Sequence, residues 1–423
     1  MSPAIISSII LVFLVVLFIT ELIPFTATAI LGCVLFAVTG VAEYNDVFSG
    51  FAHNNVIMLI GILIVADAMI NSGLATLIGD YCIKLSRNNE KRFIFFTCIA
   101  IYLMSMWLDN TSIFAIFLSI MVSVSSVNKN FRLINMAMPV VICAMVGGAS
   151  TLIGCVVNIA GQSVITNMTE YEFGIFDFTK AGIPFFLITL VYVMTIGMNF
   201  SKRTWNDRKN EEIDTSQITK LFEADARRIV LILFVLLVMI AGFVTAVFPT
   251  GLIAMIAALL CQIFRLVDIK KTLRVINWDV IVRLAAMMGI VKALEVSGFN
   301  KMLSDLFITH FGNNTSPYVI LIISTVISMA ISQVMSNTAT VLILLPPILA
   351  VTNGLGYNPL PFALAVIYGA SLAFMMPTAG VCIGLSMIAG YKFKDYFRYS
   401  WLLSVLLAIG IIVLVPIFFP FRI

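Results

Sequence analysis

Residues 105–111 read Ser-Met-Trp-Leu-Asp-Asn-Thr, and residues 332–338 read Ser-Gln-Val-Met-Ser-Asn-Thr. Each heptad sits in the middle of a long apolar stretch, residues 93–127 and 317–353, where an ordinary membrane crossing would carry no polar triplet. Inside a bilayer every backbone polar group needs an internal partner, so non-helical backbone is tolerated there only where protein or a wet cavity covers it. Each heptad is therefore read as the tip of a hairpin that enters and leaves the membrane on one side.

Charge sets the side. Lys and Arg cluster at 84–92, at Lys129 and Arg132, at 202–228, at 265–274 and at 392–398, which together hold twenty of the 25 basic residues. Cytoplasmic loops are enriched in these residues, so the main basic loops are expected to be cytoplasmic and both termini outside. The first hairpin is flanked by basic residues at both ends and opens inward. The flanks of the second, His310 to Ser316 and Asn353 to Asn358, carry no Lys or Arg, so it opens outward. One hairpin of each orientation is what inverted-topology repeats produce.

Other pieces repeat in the same order: Val56-Ile57 to Ser72-Gly73 with Val280-Ile281 to Ser297-Gly298, and Gly148-Ala149-Ser150 with Gly369-Ala370-Ser371, at offsets of 221 to 227 residues. The expected organisation is a first repeat over 1–200 (hairpin 93–127, broken helix 133–166), a cytoplasmic linker over 201–227, and a second repeat over 228–423 (hairpin 317–353, broken helix 359–390).

Composition agrees. The chain is 61% hydrophobic and 11% charged, with a mean hydropathy of +1.09, so lipid is its solvent. At roughly 20 residues per span, its length suits an all-α polytopic protein of about ten spans plus the two hairpins. The run from Pro3 to Ile19 lacks a basic n-region and a cleavage site and reads as the first span. Seven scattered cysteines without CxxC spacing read as packing residues. The two histidines, His53 and His310, fall in expected outer loops, away from any nucleophile or ligand cluster, and no GxxxxGK[ST] loop occurs. An enzyme, an ATP-driven pump and a nucleic-acid binder are thereby disfavoured, and no cofactor is expected.

Secondary transporters build ion sites from broken helices, whose freed carbonyls ligate cations while half-helix N-termini face anions. Two Gly-rich runs follow the two triplets, 147–154 and Gly369 to Gly380. Gly148, Ser150 and Asn158 in the first, and Ser371, Pro377 and Thr378 in the second, are candidate helix-break supports. Small residues also serve close helix packing; their symmetric placement after the triplets is what points to a site. Asp109 stands out because an intramembrane carboxylate is costly. Asp67, Arg283, Lys292 and Glu295 read equally well as a structural ion pair.

The residues resemble the divalent anion:sodium symporters of the ion transporter superfamily over nearly the whole chain. The likeness is carried by Thr20-Glu21-Leu22-Ile23-Pro24, Ser336-Asn337-Thr338-Ala339-Thr340, Gly147 to Asn158, Ser371 to Pro377 and Phe393-Lys394-Asp395. It implies a homodimer in which a mobile domain bearing both hairpins moves elevator-fashion. It implies one sodium site at Ser105, Asp109, Asn110 and Gly154, and a second at Ser332, Ser336, Asn337 and Ala379. The anionic substrate would meet Asn110, Thr111, Asn337 and Thr338. Sodium is the one metal so implied.

Three departures stand against the family pattern. Asp109 replaces a serine, the helix breaks read Gly154-Cys155-Val156-Val157-Asn158 and Ala379-Gly380-Val381-Cys382 instead of Thr-Pro-Pro-Asn, and the chain begins one helix early. The expected function is sodium-coupled symport of a di- or tricarboxylate or an inorganic oxyanion. Cation/proton antiport or oxyanion efflux is the alternative, favoured by Asp109.

Overall fold

A computed structural model of the chain describes residues 2–20, 22–128, 130–205, 225–311 and 316–422. Glu21, Lys129, most of the expected linker and Asn313-Asn314-Thr315 lie outside the described residues. Every regular element among the described residues is helical. The first half runs α1 (Pro3–Thr20), α2 (Phe25–Val38), α3 (Tyr44–Phe48), α4 (Asn54–Asn71), α5 (Leu74–Ser86), α6 (Glu90–Ser105), α7 (Asn110–Val127), α8 (Leu133–Gly148), α9 (Val156–Met168) and α10 (Asp177–Thr204), the last with a π turn at Val193–Gly197. The second half repeats the succession: α11 (Ala226–Thr245), α12 (Thr250–Ile263), α13 (Ile269–Val275), α14 (Trp278–Val296), α15 (Phe299–Phe311), α16 (Pro317–Ile331), α17 (Asn337–Gly354), α18 (Leu360–Ser371), α19 (Val381–Leu385) and α20 (Phe393–Phe418).

The packing exchanges partners between halves. Helix α4 lies on α12 while α14 lies on α2; α9 meets α17 while α7 meets α19; α6 packs on α8 as α16 does on α18. Such reciprocity is what a two-fold relation between halves produces. Side chains follow it: Asn54 at the start of α4 donates to Thr250 Oγ1 at 2.8 Å, and Thr26 at the start of α2 donates to Asp279 at the start of α14. Close approach of α4 and α12 requires Gly61, because a Cβ there would sit 2.6 Å from the Ala254 carbonyl carbon. Without a hydrophobic driving force between helices in lipid, small residues and interhelical hydrogen bonds carry such contacts.

Among the described residues, six helices are long and apolar enough to cross a bilayer: 44–71 with its short 3-10 turn, α7, α10, α11, α17 and α20. Apolar helices of 10–17 residues, among them α2, α8, α12, α16 and α18, lie beside them.

The α6–α7 turn occupies residues 106–109 and the α16–α17 turn residues 332–336; α8 is interrupted over 149–155, and α18 gives way after Ser371. Pro377 has no N–H for the Ala373 carbonyl and its ring clashes with the preceding turn, so α18 unwinds earlier than α8.

Two details come from side-chain contacts. Helix α10 runs on to Thr204, past the boundary expected at 200, because Trp205 is fully buried and stacks on Tyr399 with centroids 5.8 Å apart, while Arg132 donates to its carbonyl at 2.8 Å. Asp67 does not pair with Lys292. Its carboxylate accepts from Thr272 Oγ1 at 2.6 Å and Asn71 Nδ2 at 3.0 Å, whereas Lys292 meets Glu295 at 3.0 Å and Arg283 meets Asp279.

Candidate functional site

Each hairpin tip ends in a capped helix N-terminus. The Asp109 carboxylate accepts from Thr111 N at 3.1 Å and Ser112 N at 3.0 Å, satisfying two of the orphan donors that open α7. Ser336 does the same for α17, accepting from Ala339 N at 3.3 Å. The residue that looked like a family departure thus occupies the cap position in both halves, filled once by a carboxylate and once by a hydroxyl. Asn110, Thr111, Asn337 and Thr338 are half-buried in the first turns behind these caps.

Each tip is tied to the break of its own half by one threonine. Thr151 Oγ1 donates to the Met106 carbonyl, and Thr378 Oγ1 donates to the Gln333 carbonyl at 3.1 Å. Both members of the pair are 227 residues apart, the spacing of Asn110 and Asn337. The Gly148-Ala149-Ser150 match to Gly369-Ala370-Ser371 runs at 221 and is not the register these bonds follow, since α8 and α18 begin at Leu133 and Leu360, 227 residues apart.

The first half adds a cluster of oxygens with no donor. Asn158 Nδ2 bridges the break, donating to Gly148 O at 3.1 Å and Thr151 O at 2.6 Å, which leaves its buried Oδ1 unpartnered. Asn110 Oδ1 and Ser105 Oγ are buried and unpartnered as well. The three side chains lie around the Gly147-Gly148 backbone. A Cβ on Gly148 would lie 2.1 Å from Asn110 Oδ1, one on Gly147 would lie 3.0 Å from Ser105 Cβ, and one on Gly154 would lie 2.6 Å from Gly148 O and 2.9 Å from Ser105 O. Burying an acceptor without a partner costs on the order of 1–3 kcal/mol, and a desolvated cation is the partner such oxygens suit.

The second half is built differently. The Ser332 hydroxyl lies 2.8 Å from Asn337 Oδ1 and 2.9 Å from Ala370 O. A hydroxyl has one proton to give, so it serves one of those two oxygens at a time. Gln333, which sequence reasoning passed over, clamps the break: its Oε1 accepts from Met375 N at 3.0 Å, and its Nε2 donates to Met329 O at 3.2 Å. Ala379 is buried in the 3-10 turn Pro377–Ala379, and Gly380 brings backbone within reach of Asn337, a Cβ there standing 3.9 Å from Nδ2. Ser150 turns away from the cluster: its hydroxyl bonds to Val146 O at 2.7 Å, and its carbonyl accepts from Thr179 on α10 at 2.8 Å.

The halves meet across this site. The Cys382 thiol donates to the Asn110 carbonyl at 3.4 Å, and the Cys155 thiol at the start of α9 faces the Ser371 hydroxyl. Gly161 of α9 admits Ile367 and Val341, so α9 lies directly on α17 and α18. Two tips and two breaks therefore lie together, and among the residues singled out there Asp109 alone carries a charge.

Comparison with known proteins agrees with this architecture. A family model described as "Citrate transporter" matches residues 15–367. The chain is 24% identical to an uncharacterized transporter of Methanocaldococcus jannaschii over 92% of its length and 88% of the relative's. It is 22% identical to the sodium-dependent dicarboxylate transporter SdcS of Staphylococcus saprophyticus, over 93% of this chain and 82% of that one. The uncharacterized transporter YfbS of Escherichia coli is 31% identical over 45% of this chain, which spans only 31% of YfbS. Among solved structures, MtrF of Neisseria gonorrhoeae superposes with a TM-score of 0.60 at 12% identity, covering 91% of this chain and 84% of MtrF. YdaH of Alcanivorax borkumensis gives 0.59 at 14% identity, covering 88% and 86%. These two share its fold. A helical membrane architecture of this kind, matched by the family model over most of its length, places the protein among transporters and not enzymes: the chain belongs to the citrate transporter family.

Proposed function

We propose that the chain is a secondary active transporter that carries a di- or tricarboxylate, or an inorganic oxyanion, together with sodium. The observation that carries the reading is that Ser105, Asn110 and Asn158, three side chains around the Gly147-Gly148 backbone, each hold a buried oxygen without a hydrogen-bond partner. Oxygen-only ligands suit a hard, monovalent cation. The neutral cap of α17 leaves that helix's positive end free for an anion, so substrate is assigned to Asn337 and Thr338, with Asn110 and Thr111 across the site. The name of SdcS, a sodium-dependent dicarboxylate transporter, points the same way.

Sodium is cargo here, with its first site at Ser105, Asn110, Gly154 and the neighbouring Asp109, and its second at Ser332, Ser336, Asn337 and Ala379. The reciprocal helix pairing supports two inverted repeats, and the two linked tips and breaks support a domain that moves as one body in an elevator cycle, within a homodimer of the inner membrane. Uptake of labelled succinate, citrate and sulfate into proteoliposomes decides it. At least one anion should accumulate at least tenfold faster with an inward sodium gradient than with potassium, and a proton gradient alone should not substitute. Accumulation driven by protons and indifferent to sodium would favour antiport or efflux instead, the reading that Asp109 suggests.

Orientation is tested with single cysteines at exposed turn positions. Asn88→Cys, before α6, and Asn353→Cys, at the end of α17, should be labelled by impermeant maleimide from opposite faces. Labelling of both from one face would abolish the inverted relation.

Asp109 has two separable jobs. Asp109→Ser keeps a cap and should fold normally, yet raise the half-saturating sodium concentration about tenfold by removing a charge beside the cation. Asp109→Ala should also lower stability, by about 1 kcal/mol through the lost cap. Equal sodium dependence in wild type and Asp109→Ser would leave the carboxylate with capping alone.

A further inference from the structure

The turn between α5 and α6 carries Arg87, Lys91 and Arg92 around a hollow of about 460 Å³ floored by Phe95, Phe96 and Met194. Arg87 and Asn88 both adopt positive φ, 46° and 62°, a left-handed reversal that non-glycine residues enter at a cost. That reversal folds Arg87 back beside the first turn of α6. Among the described residues none of the three cations forms an ion pair with a carboxylate. Glu90, the acid nearest in sequence, is turned inward, accepting from Arg132 N at 2.9 Å and Asn135 Nδ2 at 3.2 Å. Three positive charges thus face one hollow with no carboxylate paired to them among the described residues.

An apolar groove lies close to the hollow. Leu187, Val191 and Ile196 of α10 with Leu406 of α20 line a second concavity of about 390 Å³. Met194 of the first hollow lies within one turn of Val191 and Ile196 of the second, at the π turn Val193–Gly197. Cations in one hollow and an apolar groove within a helical turn of it match an amphiphile bearing a phosphate. A free anion would use the cations and leave the aromatic floor and groove without purpose. Basic residues at the cytoplasmic ends of membrane helices attract the anionic lipids of that leaflet, and the charge distribution along the chain assigns this turn to the cytoplasm.

We propose that this hollow binds one anionic phospholipid, with its phosphate between Arg87, Lys91 and Arg92 and an acyl chain laid in the groove between α10 and α20. The test is native mass spectrometry of the full chain released from detergent containing phosphatidylglycerol, phosphatidylcholine of the same acyl composition, or inorganic phosphate. The wild-type chain should retain phosphatidylglycerol at least tenfold more than phosphatidylcholine, and excess inorganic phosphate should not displace it. The triple variant Arg87→Gln, Lys91→Gln, Arg92→Gln, at exposed positions, should lose that preference with an unchanged circular dichroism spectrum. Val191→Trp, which fills the groove and leaves all three cations in place, should lower retention as well. Undiminished preference in the triple variant overturns the proposal. So does displacement by phosphate together with indifference to Val191→Trp, which would make this a site for a free anion.

Discussion

Alanine at Gly148 is expected to silence coupled transport while the chain still inserts and folds. The added methyl would stand 2.1 Å from Asn110 Oδ1 and 2.5 Å from Nδ2, well inside any van der Waals contact. What it meets is the end of a side chain and not backbone, so Asn110 can rotate away, at an overpacking cost of about 1–3 kcal/mol. Rotation removes one of the three buried oxygens from the cluster. Sodium-driven uptake should fall at least tenfold, and sodium should no longer raise the thermal unfolding temperature, as a ligand bound only by the folded state does. Asn110→Ala should show the same two losses, and the double variant should be no worse than Gly148→Ala alone, because both changes remove one interaction. Wild-type sodium stabilisation in Gly148→Ala would mean that Asn110 Oδ1 is not a ligand.

Asn337→Ala is expected to be at least as damaging, through the other half. Asn337 opens α17 directly behind its neutral cap, its Oδ1 lies 2.8 Å from the Ser332 hydroxyl, and its Nδ2 faces the backbone at Gly380. Truncation takes away a group shared by the second cation position and the helix end assigned to the anion. Uptake should drop at least tenfold at saturating sodium, and the anion should no longer protect single cysteines in the site from modification. Sodium stabilisation through the first cluster should survive, which separates this variant from Gly148→Ala. Retained coupling in Asn337→Ala would remove the second half from the site.

Much of this was legible before any coordinates. The two heptads marked both tips, and Gly and Pro marked both breaks to within a few residues, because φ freedom and a missing N–H act where the residue stands. Asp109 drew notice as an intramembrane charge, but its role as the helix cap of α7 depends on where that helix begins. Gln333 was invisible: a glutamine has no positional signature, and it matters only because the chain returns 42 residues later to present Met375 N. Thr151 and Thr378 were discoverable at the 227-residue spacing, yet the louder Gly-Ala-Ser match drew attention to 221. Asp67 and Lys292 occupy equivalent positions in their repeats, and equivalence under a two-fold does not bring two residues together.

The sequence by itself pointed to lipid as the solvent and to the places where helices fail, since hydropathy, proline and glycine act locally or through their order along the chain. Tertiary structure alone decided which polar atoms go without a partner. Asn110 Oδ1, Asn158 Oδ1 and Ser105 Oγ belong to three separate helices, and whether an oxygen is satisfied depends on every group that packing brings within about 3 Å of it. The exchange of partners between halves has the same origin: α9 finds α17 and α7 finds α19 only once two copies of one pattern have closed on each other.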